Sequence, residues 1–142
     1  MKVKIICGLC IGLIILISII PGTFGQVMAD TELEINDIRS VMGGIETDVK
    51  NIGDSIAEGI SISIFVSGGI FNNIDIQHDC GGCADCGTTI AVGSIKTENS
   101  LEAGFIMGIG SIEITITASA SNANEVSETV NGLIIGPFII IN

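Results

Sequence analysis

Ser111-Ile112-Glu113-Ile114-Thr115-Ile116-Thr117-Ala118-Ser119 decides the fold. Its apolar residues fall on every second position. A strand turns alternate side chains to opposite faces, whereas a helix would scatter these isoleucines around its circumference. The stretch therefore predicts a strand with one buried face, built from β-branched residues that suit a pleated surface. The same period recurs on either side of it. Ile60, Ile62, Ile64 and Val66 alternate with Ser61, Ser63, Phe65 and Ser67, and Ile45, Thr47 and Val49 alternate with Glu46, Asp48 and Lys50. Leu101, Ala103, Phe105 and Met107 form a further row.

Between these rows stand Gly43-Gly44, Gly53-Asp54, Gly68-Gly69, Gly108 to Gly110 and Ser121 to Asn124, which are turn chemistry. Together the pattern predicts strands near residues 33–39, 44–52, 58–67, 70–76, 88–95, 100–107, 111–120 and 126–141. Seven to eight short strands at this spacing make an all-β, two-sheet sandwich. The last stretch, Leu133 to Ile141, is apolar on both faces and is interrupted by Gly136-Pro137. Pro137 cannot donate to a ladder, so a bend or bulge at a sheet edge is expected there. With no Trp or Tyr and five Phe, the core has to be aliphatic.

The first 29 residues read differently. A basic start, Met1 to Lys4, precedes the uncharged run Ile5 to Ile20 and the breaker Pro21-Gly22. That is the order of an export signal, with cleavage after Gly25 or Ala29. The alternative is an uncleaved anchor helix, in which 16 residues would reach about 24 Å against a hydrocarbon core of about 30 Å. Cys7 and Cys10 precede most of the run, which argues against a lipoprotein anchor. The expected organisation is thus a signal peptide or anchor over 1–29 and one β domain over 30–142, outside the cytoplasm or at the cell surface. Contact with membrane is expected only through residues 5–20, if they are retained.

Without the leader, three cations (Arg39, Lys50 and Lys96) face 16 acidic residues, a formal net charge of −13. Such a surface repels phosphate backbones, so nucleic acid is not an expected partner. The acids are spread along the chain, and none form a loop with calcium spacing. No phosphate-binding glycine loop, zinc-protease helix or nucleophile elbow is present, so no enzyme and no catalytic residues are predicted.

The phrase Gly44-Ile45-Glu46-Thr47-Asp48-Val49-Lys50-Asn51-Ile52-Gly53-Asp54, followed by a second alternating strand to Ile60, resembles the start of CARDB-like (cell-adhesion-related) and other immunoglobulin-like domains of prokaryotic surface proteins. Ser100 to Phe105, Ile112 to Ala118 and Gly136-Pro137-Phe138 look similar to the same small domains. Physically, an Asn51 side chain bonded across the turn, a Gly53 free to take positive φ and an Asx turn at Asp54 would return Val49 and Ile60 to adjacent strands. The resemblance implies an immunoglobulin-like sandwich serving as a spacer, adhesion or interaction module. Its partners would be other surface proteins or a second copy, met through an edge strand or the cysteine loop.

Where that family carries a short link, this chain inserts residues 72–87, with His78, Cys80, Cys83 and Cys86. His78 and three cysteines two residues apart could ligate one zinc or similar ion as a Cys₃His set. The fourth cysteine and proline of a ferredoxin run are missing. Export into an oxidising compartment favours instead a disulfide among Cys80, Cys83 and Cys86, and free thiols would fit an anoxic setting. No cofactor is otherwise expected. The runner-up function is a small metal-binding or thiol-redox protein built on this loop.

Overall fold

The computed structural model describes residues 30–81 and 88–142, and the expected leader lies outside them. The described chain is all-β. Among the described residues it has eight strands of four residues or more and one two-residue pair. They are β1 (Leu33–Val41), β2 (Gly44–Asn51), β3 (Ala57–Glu58), β4 (Ser61–Gly68), β5 (Ile74–Gly81), β6 (Thr89–Ile90), β7 (Ile95–Asn99), β8 (Gly108–Ala120), β9 (Ala123–Gly136) and β10 (Phe138–Ile141). All ladders are antiparallel, giving a five-stranded sheet in the order β10-β9-β8-β4-β5, a three-stranded sheet β1-β2-β7 and the small pair β3-β6.

The alternation read from the sequence explains why the two larger sheets stack. Ile62, Ile64 and Val66 of β4 and Ile112, Ile114 and Ile116 of β8 are buried, and Ile64 stands opposite Ile116 in the ladder. Ile45 of β2 packs against them from the other sheet, with Ile35 and Ile38 of β1 at its margin. A second cluster, with Leu33, Val49, Ile60, Ile62 and Ala118, fills the end nearer the start of the domain. Among the described residues, the buried members of both clusters lie between Leu33 and Ile139. Among the described residues, no helix is long and apolar enough to cross a membrane.

Several expectations are corrected. Residues 100–107 form no strand: the buried Ser100 hydroxyl accepts the Ile45 amide at 2.9 Å, and Asn99 Oδ1 accepts the Leu101 amide at 2.9 Å. These bonds turn Ser100–Glu102 into a 3₁₀ turn, leave Leu101, Phe105 and Met107 exposed, and make Ile106 the core residue. Residues 126–141 form two strands, since Gly136, at φ +62°, and Pro137 make the two-residue connection between β9 and β10, and β10 becomes the sheet edge. The strand expected over 70–76 begins at Ile74 and continues through His78 and Cys80, so the first half of the supposed cysteine loop is an edge strand. The 88–95 stretch divides into β6 and β7.

At the Asn51 turn the expectation holds in part. Asn51 is fully buried; its amide donates to the carbonyls of Ser55 (2.8 Å) and Ile90 (3.0 Å), and its Oδ1 accepts the Gly53 amide. Gly53, however, is needed for space: a Cβ there would sit 2.4 Å from the Asp30 carbonyl oxygen. Asp54 closes no Asx turn and instead accepts the Asp30 amide at 2.6 Å. β2 and β4 belong to different sheets, so Val49 and Ile60 meet across the core and not along a ladder.

On the outer face of the three-stranded sheet, Arg39 donates to Glu46 (Nε, 2.6 Å), Asp37 (2.9 Å) and Asp48 (2.7 Å). The Asp48 carboxyl is held below the usual carboxylate range, first by Arg39 and then by the Thr97 hydroxyl. A depressed carboxyl adds stability above its unfolded value, about 3.9, and that stability disappears as pH falls through the lower folded value. Arg39→Met should therefore lower the urea midpoint at pH 7 by leaving three carboxylates unneutralised, with the gap to the parent narrowing as pH falls below the ordinary carboxylate range. A gap that stays constant with pH would show the guanidinium acting through packing alone.

Candidate functional site

Two places gather side chains in ways the fold alone does not require. The first lies where the edge strands β5 and β7 close one side of the sandwich. On β5, His78 and Cys80 sit two residues apart and so share the inward face. From β7, Glu98 reaches the same gap. All three are nearly inaccessible, at 7%, 2% and 8% exposure.

Glu98 is the hub of this cluster. One carboxylate oxygen pairs with Lys96 Nζ at 3.0 Å and lies 3.3 Å from Cys80 Sγ, while the other is 3.8 Å from His78 Nε2. That last distance is too long for a hydrogen bond. His78 Nε2 is buried and has no hydrogen-bond partner among the described residues. Cys80 is in a disulfide, so its sulfur has no proton to give and the 3.3 Å approach is a contact. Cys83 and Cys86 lie outside the described residues, and so does the bonding partner of Cys80. Of the predicted set, the structure therefore brings His78 and Cys80 together and adds Glu98. Among the described residues, no group of three His, Cys, Asp or Glu side chains is arranged to hold a metal ion.

The second place is one pole of the sandwich. Ladder register builds two cross-strand rows on the outer face of the five-stranded sheet: Ile109–Ile135–Phe138, then Ser111–Leu133–Ile140. All four isoleucine, leucine and phenylalanine positions from Leu133 to Ile140 on this face are open to solvent, as is Ile109. Beside them the chain makes a tight turn at Ile70–Asn72 in which Phe71 (φ +69°) and Asn72 (φ +50°) take left-handed backbone, and Phe71 is 96% exposed. Between this turn and the strand ends lies a groove of about 530 Å³, lined by Ile70, Phe71, Met107, Ile109 and Gly136. Hydrogen bonds from Gly43 N to Pro137 O and from Ile106 N to Gly43 O, both 2.8 Å, tie the surrounding turns together.

No family model matches the chain, and no curated protein does. Among solved structures, it is similar to the archaellum periplasmic stator protein FlaG from Sulfolobus acidocaldarius at 15% identity, over 70% of this chain and 98% of that one, with a TM-score of 0.45. A second similarity, to Northeast Structural Genomics Consortium target SoR45, has 11% identity over 80% of this chain and 85% of that one, with a TM-score of 0.37.

Sequence reasoning singled out His78 and Cys80 but missed Glu98, which lies some 20 positions further along and is joined to them only by the stacking of two sheet edges. The signal for the pole was present in part. Ile70-Phe71 stands between Gly68-Gly69 and Asn72-Asn73, so an aromatic residue sits in turn chemistry, where core packing does not call for one.

Proposed function

We propose that this chain is a non-catalytic, exported module of the cell surface that works by contact with other proteins, on an immunoglobulin-like sandwich of the kind the CARDB-like resemblance implies. The observation that carries the reading is the apolar pole. On a chain with a net charge of −11, the exposed side chains of Ile109, Leu133, Ile135, Phe138 and Ile140 form a patch without a single charge. Contiguous exposed apolar surface of this kind marks sites of association.

The domain's polarity supports this reading. The described chain enters at the opposite pole, where Thr31 bridges Ala123 beside the β8–β9 turn. The 13 residues of β8 separate the two ends by roughly 40 Å at about 3.3 Å per residue. A leader retained as an anchor would hold the entry pole near the membrane and direct the apolar pole away from it. In this reading the Cys80 disulfide is structural, because Cys80, 2% exposed, is shielded on its own side from an attacking thiolate. Finding Cys80 alkylatable without reductant would remove that part of the proposal.

Labelling intact cells with a membrane-impermeant amine reagent tests the placement. Lys50 should be modified before lysis; labelling only after lysis overturns an extracellular site of action.

A further inference from the structure

The geometry points to a second copy of this chain as the occupant of the apolar pole, docked as an isologous dimer in which Phe71 of each copy enters the groove of the other. This rests on the contact-module reading above and commits it to one partner.

A knob and a hole lie side by side at this pole. Phe71 is 96% exposed on a left-handed backbone that bulky residues rarely adopt, a strained conformation. The ring itself does little to offset it among the described residues, since it buries almost no surface, and the turn is held by backbone bonds such as Asn72 N to Gly69 O. The groove beside it, of which Phe71 itself forms one wall opposite Met107, Ile109 and Gly136, is mostly apolar, with Asn73 at its lining, and is large enough to take a second aromatic ring against the first. A two-fold axis through the pole would place each ring in the opposite groove, and such pairing closes at two copies.

The exposed parts of Phe71, Met107, Ile109, Ile135, Phe138 and Ile140 sum to on the order of 700 Å², close to the roughly 800 Å² per partner of a standard-sized interface. Electrostatics oppose the pairing overall and restrict where it can occur. Two chains of charge −11 repel, and they approach most easily through surface lacking acids. The patch ends in its strand direction at Glu113, whose row partner is Asn131, which sets the limit of a dry contact. Salt should consequently tighten the dimer by screening, opposite to its effect on a cationic partner.

Analytical ultracentrifugation of residues 30–142, which hold both core clusters, tests this. The expected result is a reversible monomer–dimer equilibrium that tightens between 50 mM and 500 mM salt. Phe71→Ala should weaken it at least about tenfold, as expected for a central aromatic anchor. Ile109→Glu should give a monomer, whereas Thr129→Glu, on the polar part of the same face, should dimerise like the parent. Circular dichroism confirms that each variant is folded. A monomer up to about 1 mM, higher polymers, or a dimer indifferent to Ile109→Glu overturns the proposal. If the monomer co-floats with phosphatidylcholine vesicles, the pole serves a lipid surface. If the pole is protected from hydrogen exchange only in the full-length chain, residues 5–20 are its occupant. A plain monomer removes the second copy without touching the extracellular placement, which the labelling experiment reads separately.

Discussion

Shortening Ile116 to alanine is expected to lower the unfolding free energy by about 2–5 kcal/mol, out of a total of about 5–15 kcal/mol for a domain of this kind. Ile116 is fully buried and stands opposite Ile64, also fully buried, in the β4–β8 ladder. Removing its outer carbons creates a cavity in addition to the lost transfer free energy. That cavity should persist, because β8 is held by ladders on both sides and cannot move inward to fill it. Without Trp or Tyr there is no convenient fluorescent reporter, so urea unfolding is best followed by far-ultraviolet circular dichroism. The same truncation at Leu133, 38% exposed, should cost clearly less. Equal losses at the two sites would mean that the inward and outward faces have been assigned wrongly.

Asn51→Ala should be of similar size by a different mechanism. The side chain is fully buried, donates to two carbonyls and accepts one amide, joining the end of β2 to the following turn and to β6. Truncation removes the donor from the buried Ile90 carbonyl and the part-buried Ser55 carbonyl, while the Gly53 amide keeps a second acceptor in the Glu32 carbonyl at 3.3 Å. At about 1–3 kcal/mol for each unsatisfied group, partly relieved by entering solvent, the loss should be about 2–4 kcal/mol. Asn51→Asp keeps the acceptor but aims a carboxylate at the Ser55 and Ile90 carbonyl oxygens. Burial and these neighbours favour its protonated form, so its deficit should be larger at pH 7 than at pH 4. A deficit independent of pH would mean that water reaches the site.

How far the sequence carried can be argued from individual residues. The alternation of Ile112, Ile114 and Ile116 was legible because strand periodicity is local: each residue's face follows from its neighbours two positions away. Asn51 was legible for the same reason, since two of its bonds lie within four residues. The row Leu101 to Met107 misled because its period matches a strand while its conformation is set by Ser100 bonding to Ile45, 55 residues earlier. Val49 and Ile60 were placed side by side because a turn was read as a hairpin, when the chain there crosses from one sheet to the other. Glu98 escaped notice because nothing near it in sequence points toward His78.

The pole lies between these cases. Its apolar content was visible in Leu133 to Ile141, and Pro137 correctly marked an interruption. What could not be read was that Gly136-Pro137 folds the segment back on itself, setting Phe138 beside Ile135 and Ile140 beside Leu133. That register turns a run apolar on both faces into one buried row and one exposed row. The exposed row, extended by Ile109 and flanked by Phe71, gives the domain an uncharged apolar surface unlike its acidic remainder.

Photocrosslinking in intact cells tests most directly whether the protein acts through this pole. A photoreactive aromatic residue placed at Phe71 should yield a discrete, ultraviolet-dependent adduct, and the same residue at Thr129, on the polar part of the same sheet face, should yield none. Comparable adducts from both positions, or none from Phe71, would contradict the account.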